Sequence, residues 1–410
     1  MPPSSISIST LTRVLRARPS SGLPVRKCHG MAAYSQRSFP AWFVRGGTSN
    51  GLVIRRDDLP PENEWPSILP AAMGSPDPHH ARQLNGLGSG LSSTSKIVIL
   101  GSPSRPDVDV DFTFVQVGIR DGVLDMAGNC GNMSSMVGPA AWDQGFVNTD
   151  RAVVETDMSG EQWATLRIFN TNTSKIMVSR FRVDGSPTRY CPQGEYTMDG
   201  VPGTNSTITM SFMDPAGAKT GRALPTGNPV DELELPDGSA VSASLVDVGN
   251  PGVFVSTLSL GLDDSTAAEL TPQVIEGNAS LKARLEQIRR AGTSKMGLDP
   301  NIESVPKIVL LFPGSETPDG VDIRCVAMSM GQAHKAVPLT LALCLGVSSR
   351  IAGTLAADLL AARGGSKEDV VTIAHPSGRV DVGTEMDGGR IVSARLLRTG
   401  RVMMKGDVYY

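Results

Sequence analysis

The sequence predicts an α+β fold made of two similar halves with a cleft between them, and three observations predict it. From Phe39 onward, short β-branched runs alternate with Gly-rich turns, in a chain that holds 44 glycines but only 5% aromatic residues. Helical periodicity is confined to three stretches, which excludes a regular βαβ alternation. The chain also resembles itself at an offset of about 200 residues. Gly47-Thr-Ser-Asn-Gly-Leu-Val53 is matched by Gly249-Asn-Pro-Gly-Val-Phe-Val255, and Asn129-Cys-Gly-Asn132 by Ser329-Met-Gly-Gln332. A Thr-Ser-Lys tripeptide recurs at 94–96 and 293–295, a match short enough to arise by chance.

The elements follow in order. Residues 1–35 hold Arg13, Arg16, Arg18, Arg26 and Lys27, many serines and no acid, since the first acidic residue is Asp57. Leu11, Val14 and Leu15 share one helical face, with Arg13 and Arg16 away from it. That is how a mitochondrial transit peptide reads, delivering the protein to the matrix, with translation from Met31 giving a cytosolic form. Strands are expected at 95–100, 108–117, 152–155, 176–183, 207–212, 240–246, 253–257 and 308–312. Helices are expected at 132–142, 267–290 and 333–363. The expected division is 36–204 and 205–389, with 390–410 free to return to the first half.

Composition narrows the function. Hydrophobic residues make up 40% of the 410 and charged residues 19%, enough to bury a sizeable core. The longest apolar runs fall short of a membrane span. A net charge of −3, which drops to −8 without the five cations of residues 1–35, carries no nucleic-acid signature. Five cysteines without a CxxC pair suit neither a disulfide scaffold nor a zinc site, and the five histidines lack an HExxH context.

Three segments carry residues suited to chemistry. Cys130 lies between Asn129 and Gly131 and directly before a helical stretch. Unpaired N–H groups at a helix start favour a thiolate and bind carboxylates, although a lone cysteine is more often buried packing. Ser329-Met-Gly-Gln-Ala-His-Lys335 is expected to open the other long helix, so that two helix starts face a polycarboxylate across one cleft. Lys96 ends the Gly/Ser run 86–95 and enters an apolar strand, where desolvation would lower its pKa and suit it to act as a base. A solvated strand-edge lysine is the plainer reading of the same position.

These segments, taken in order, resemble one family. Arg45-Gly-Gly-Thr-Ser-Asn-Gly51, Gly86 to Lys96, Asn129-Cys-Gly-Asn-Met-Ser-Ser135, Asn170-Thr-Asn-Thr173, Asp199-Gly-Val-Pro-Gly-Thr204 and Asp214-Pro-Ala-Gly217 belong to the pattern. So do Pro225-Thr-Gly227, Gly249-Asn-Pro-Gly252, Ser329-Met-Gly331 and His375-Pro-Ser-Gly378. Over about residues 39–400 the chain resembles the PrpF family of methylaconitate and aconitate isomerases and oxalomesaconate tautomerases. That resemblance implies two pseudo-symmetric diaminopimelate epimerase-like domains, each with a sheet wrapped around a central helix and the active site in the interdomain cleft. It implies Lys96 and Cys130 as catalytic residues. It places Thr48, Ser49, Ser95, Gly131, Asn132, Met133, Asn250, Gly331, Gln332, His334, Ser377 and Gly378 against the substrate, with no metal and no cofactor. Met330 stands where an epimerase carries its second thiol, so two-thiol epimerisation is not expected. The chain departs from the common pattern at Asn50 and Asn85, where lysine and aspartate are frequent.

The implied reaction is a 1,3-allylic proton shift on aconitate or a 2-methylaconitate-type tricarboxylate. The alternatives are a keto-enol tautomerase of an oxalomesaconate-like acid, a non-catalytic helper of an aconitase-like hydratase, and a cysteine hydrolase pairing Cys130 with His334 or His375. The expected partner is a small polycarboxylate, with no nucleic acid and no membrane. A homodimer and functional coupling to an aconitase-like hydratase are both compatible with the sequence.

Overall fold

A glycine turn feeding a buried strand stands early in each half of the chain. The computed structural model describes residues 37–147, 152–262, 269–313, 317–364 and 369–410; the expected leader, 1–35, lies outside them. In the first half, β1 (Ser38–Gly46) and β2 (Ser49–Arg55) pair antiparallel across Gly47 and Thr48. After α1 (Trp65–Met73), β3 (Lys96–Gly101) lies parallel to β2, and β4 (Val110–Val117) antiparallel to β3. Two short helices follow, α2 (Gly131–Ser134) and α3 (Val137–Asp143). Then β5 (Gln162–Asn170) lies parallel to β4, β6 (Lys175–Asp184) antiparallel to β5, and β7 (Ile208–Met213) antiparallel to β6.

The second half repeats this order. It begins with an edge strand, β8 (Asp231–Glu234), paired to β9 (Ala240–Val248). β9 and β10 (Asn250–Ser256) form the glycine hairpin. After α4 (Pro272–Gly277) and α5 (Ala279–Lys295), β11 (Lys307–Leu311) lies parallel to β10 and β12 (Ile323–Ser329) antiparallel to β11. The short β13 (Gln332–Ala333) folds back on β12. Helices α6 (Leu339–Ser348) and α7 (Leu355–Ala362) come next. β14 (Val370–His375) then runs parallel to β12, β15 (Gly378–Asp387) antiparallel to β14, and β16 (Arg390–Arg398) antiparallel to both β15 and β7. The final strand, β17 (Gly400–Tyr409), pairs with β1.

Alternation along the strands explains the layers. In β3, Ile97 and Ile99 face α1 with Trp65, Ile68 and Leu69, whereas Val98 and Leu100 face a central core. In β11, Ile308 and Leu310 pack with Leu285 and Ile288 of α5, and Val309 and Leu311 face the same central core. Strands covered on both faces read as continuous apolar runs. All ten residues of α6 are buried, as an apolar-all-round helix requires.

The helices are shorter than their periodicity predicts. The expected helix 132–142 is broken at Ser135 and Met136, just before Pro139. Proline lacks an N–H and its ring clashes with the carbonyl four residues back, here Ser135. The expected helix 267–290 begins partly outside the described residues; its described part divides at Asn278, whose side chain caps α5 by accepting from Leu281 N. The expected helix 333–363 starts only at Leu339, because Pro338 holds the preceding backbone extended. It breaks again before Thr354, which caps α7. Ser329-Met-Gly-Gln332 is therefore no helix start. Met330 (φ +52°) and Gly331 (φ +67°) form the two-residue turn between β12 and β13, a left-handed pair of the kind that joins tight hairpins.

Candidate active site

Glycines bring the first helix start against its neighbours. A Cβ on Gly46 would lie 2.3 Å from Asn132 O, and one on Gly47, at φ +52°, 2.3 Å from Asn132 Oδ1. Without those atoms the β1–β2 turn rests on α2. Asn132 Nδ2 then donates to Thr48 Oγ1 (2.9 Å), and Asn132 Oδ1 accepts from Arg398 Nε (3.1 Å). A Cβ on Gly131 would meet Leu339 Cδ2 at 2.3 Å, so α2 and α6 begin against each other. Asn250 braces both: it accepts from Asn129 N and donates to Asn129 O and Thr340 Oγ1.

Beside these two helix starts lies a cavity of about 330 Å³, within the range of small-molecule sites. Cys130, partly buried, caps α2 and lines it. Lys96, 8% exposed, enters from the first residue of β3. Its ammonium donates to Gln116 Oε1 (2.5 Å) and lies 5.3 Å from the centre of the Phe114 ring. Gln116 Nε2 donates to Ser92 O and Ser95 O, which fixes its oxygen toward the lysine. Burial pushes the Lys96 pKa down, while Cys130 and Asp125 pull the other way. Lys307, the first residue of β11, lines the same cavity. Burial, and then the charge of Lys96, push it down to about 8. His334 is pushed down to about 3 by burial and by both lysines, and its Nε2 sits 3.1 Å from Ser92 Oγ. With its pKa pushed this low, His334 would be a weak base for the cysteine-hydrolase pairing, and its Nε2 is turned to Ser92. Lys335 also lines the cavity, and among the described residues no Asp or Glu does.

Of the residues expected at the site, Lys96, Cys130, Thr48, Ser49, Gly131, Asn132, Gln332, His334 and Ser377 line the cavity. Five do not. Ser95 Oγ is buried between Gln83 and Val117 O. Met133 belongs to the central core. Asn250 stands behind the helix starts, Gly331 sits in the hairpin turn, and Gly378 packs on Asp199, where a Cβ would meet the carboxylate at 2.1 Å. His375 lies outside the cavity lining, pushed down to about 4 mainly by burial. The second helix start at the cavity is Pro338–Thr340. The residue that caps α6, as Cys130 caps α2, is thus Pro338 and not Met330, and proline too carries no transferable proton.

Sequence reasoning missed Lys307, Ser304, Gln116 and Thr340. A signal for Lys307 exists: Ser93-Thr-Ser-Lys-Ile-Val-Ile-Leu100 recurs as Ser304-Val-Pro-Lys-Ile-Val-Leu-Leu311. Gly51 pairs with Lys96 and Gly252 with Lys307, each across a parallel strand pair. The Thr-Ser-Lys at 293–295 instead lies at the end of α5 and has no counterpart role.

Known proteins resemble this chain along most of its length. Over 392 residues the chain is 38% identical to 3-methylitaconate isomerase of Eubacterium barkeri, covering 91% of this chain and 97% of that protein. It is 34% identical over 405 residues to 2-methyl-aconitate isomerase of Cupriavidus necator, covering 92% and 98%. The crystal structure of a methylitaconate-delta-isomerase superposes with a TM-score of 0.69 at 37% identity, covering 91% of this chain and 96% of that one. A hydroxyproline epimerase from Agrobacterium vitis, 14% identical, superposes at 0.51 over 92% and 93% and speaks for the epimerase-like fold alone. Residues 36–410 match the PrpF protein family, and with relatives of this identity along almost their whole length, the chain belongs to it.

Proposed function

We propose that this protein is an isomerase that moves a carbon–carbon double bond in an aconitate- or 2-methylaconitate-type polycarboxylate by a 1,3-allylic proton shift. The observation that carries the reading is the cavity itself: among the described residues, Lys96 and Cys130 share it with two further lysines and no acidic side chain. A basic, partly apolar cleft of this size suits a small polyanion. The names of the relatives, isomerases of methylitaconate and methylaconitate, support the same class.

The reaction needs a base and an acid. One group takes a proton from the methylene carbon next to the double bond. The electron pair left behind spreads through the alkene into a carboxylate, giving a dienolate. A protonated group then returns a proton to the far carbon of the allyl unit, and the double bond is displaced by one position. Lys96, whose pKa burial pushes down, and Cys130 exchange these protons between them. The N–H groups at the helix starts face the growing negative charge. Side chains carry every proton, so the scheme requires no cofactor.

Proton NMR of the purified protein with cis-aconitate and with 2-methylaconitate in D₂O tests the reading. Deuterium should enter the allylic positions of at least one of them as the isomer forms. If neither exchanges nor isomerises, the proposed reaction is wrong for this chain.

A further inference from the structure

The repeat that places Lys96 also builds a second polar set that the proton shift does not use. Ser304 lines the cavity, is 6% exposed, and its Oγ has no hydrogen-bond partner. Three residues on, the Lys307 ammonium donates to Ser304 O (2.6 Å), which leaves further N–H donors for a ligand. The segment is seated firmly: a Cβ on Gly128, two residues before Cys130, would lie 2.7 Å from Val305 Cγ1. A buried hydroxyl without a partner costs free energy unless a ligand completes it. An ammonium with donors to spare and an unpartnered hydroxyl three residues away, both on residues lining a cavity whose described lining holds no acid, match a carboxylate.

We propose that Ser304 and Lys307 form a carboxylate subsite that anchors a non-reacting carboxylate of the substrate and selects for a polyanion that presents one there. The inference rests on the polycarboxylate reading above and deepens it. In this arrangement Lys96 and Cys130 act on the carbon skeleton, while Lys307 and Ser304 hold its end. The groups that bear on Lys307 are Lys96 from β3, Asp125 from the short strand beside β4, Cys130 at the cap of α2, and His334 after β13. His334 is neutral, Lys96 opposes a second charge, and Asp125 and Cys130 support it. The anchor is therefore cationic at neutral pH and loses its charge as pH rises through about 8, so substrate affinity should fall across that range.

The test uses tricarballylate, a saturated tricarboxylate that has no allylic proton to move. Its binding to the wild-type protein and to Lys307→Met, Lys307→Arg, Ser304→Ala and Lys96→Met is measured by calorimetry, alongside thermal unfolding of each. Removal of a charged hydrogen-bond donor predicts binding about 10- to 100-fold weaker in Lys307→Met. Ser304→Ala should weaken binding several-fold, and Lys307→Arg should stay within about threefold of wild type while losing the fall in affinity above pH 8. In turnover, Lys307→Met should raise KM with a smaller change in kcat, the reverse of Lys96→Met. Should Lys307→Met be unfolded, Ser304→Ala and the pH profile of Lys307→Arg decide instead. A folded Lys307→Met that binds tricarballylate like wild type, or an unchanged pH profile in Lys307→Arg, overturns the subsite and leaves the proton-shift reading intact. A wild-type protein that binds no polycarboxylate and exchanges no protons overturns both.

Discussion

Removing the Lys307 charge should make the unliganded protein more stable at neutral pH. Lys307 loses its proton near pH 8 in the folded chain, against an ordinary 10.5, chiefly because burial strips water from the ammonium. At about 1.4 kcal/mol for each tenfold change in protonation, holding the charge at pH 7 costs about 3 kcal/mol. Its partial exposure trims this to about 2 kcal/mol. Methionine fills most of the same volume, and the lost bond to Ser304 O returns about 1 kcal/mol. The expected net gain for Lys307→Met is thus about 1 kcal/mol at pH 7. The sign follows from proton uptake. Between pH 8 and 10.5 the unfolded lysine binds more protons than the folded one, so wild-type stability climbs with pH across that window. The advantage of the mutant should shrink over the same range and turn by pH 10 into a deficit of somewhat under about 1 kcal/mol, where chiefly the lost bond to Ser304 O remains. Thermal unfolding of both proteins at pH 7, 8.5 and 10, without ligand, measures it. A mutant less stable than wild type at pH 7, or an offset that does not change with pH, would show that the ammonium is not strained in the empty cavity.

Four further outcomes are expected. Cys130→Ser and Lys96→Met should each fold and lose about 10²- to 10⁴-fold in turnover, the usual worth of a positioned proton carrier, as read by deuterium exchange into cis-aconitate or 2-methylaconitate. Gly47→Ala should destabilise by about 1–3 kcal/mol and lower turnover, because its Cβ would displace Asn132 Oδ1 at a left-handed backbone position; Gly101→Ala, where no atom lies within 4 Å, should unfold at nearly the wild-type temperature. His334 stays neutral in the folded protein down to about pH 3 and protonates below 6.5 once unfolded, so wild type should lose stability as pH falls through that window, and His334→Gln should lose less of it in acid unfolding. Residues 1–35, which precede the family match at residue 36, should carry a fused reporter into mitochondria; an unprocessed reporter in the cytosol would reject the targeting reading.

The strands were legible because their signal is local. Lys175–Asp184, Ile208–Met213, Ala240–Val248 and Lys307–Leu311 lie within two residues of where β-branched runs place them. Helix limits were less legible because periodicity records which face is buried and not where the backbone can continue. Pro139 and Pro338 carry the missing information, and both sit inside apolar patterns that read as uninterrupted helix. At the site, Cys130 and Lys96 were legible from their neighbours: a glycine after one, an apolar strand after the other. Lys307 was hidden by the same logic, since a lysine at a strand start usually meets solvent. Only the pairing of two parallel strands shows that its start lies at the cavity. The two-helix arrangement survives with a different second member, Pro338–Thr340, because Ser329–Gln332 has the φ angles of a turn.

The duplication also accounts for the different roles proposed for the two lysines. Each stands at the first position of a strand parallel to a glycine-hairpin strand, so backbone geometry delivers both side chains to one cavity. What surrounds them differs. Opposite Lys96 on β4 is Gln116, whose oxygen is turned to the ammonium, and the helix start beside it carries the Cys130 thiol. In the second half, Ile308 pairs with Met328, which brings the small Ser329 beside Lys307, and the corresponding helix is capped by Pro338. One half therefore presents two groups able to exchange protons, and the other presents a lysine with an unpartnered hydroxyl. An epimerase needs a proton carrier on each side of its substrate carbon. A double-bond shift can take both carriers from one side, which frees the other to hold the anion. Restoring a thiol at the second helix start, as Pro338→Cys, tests this division. The variant should still fail to exchange the α-proton of proline in D₂O, because Lys307 and Ser304 would hold the acid end, and exchange of that proton would show that the missing thiol alone separates the two chemistries.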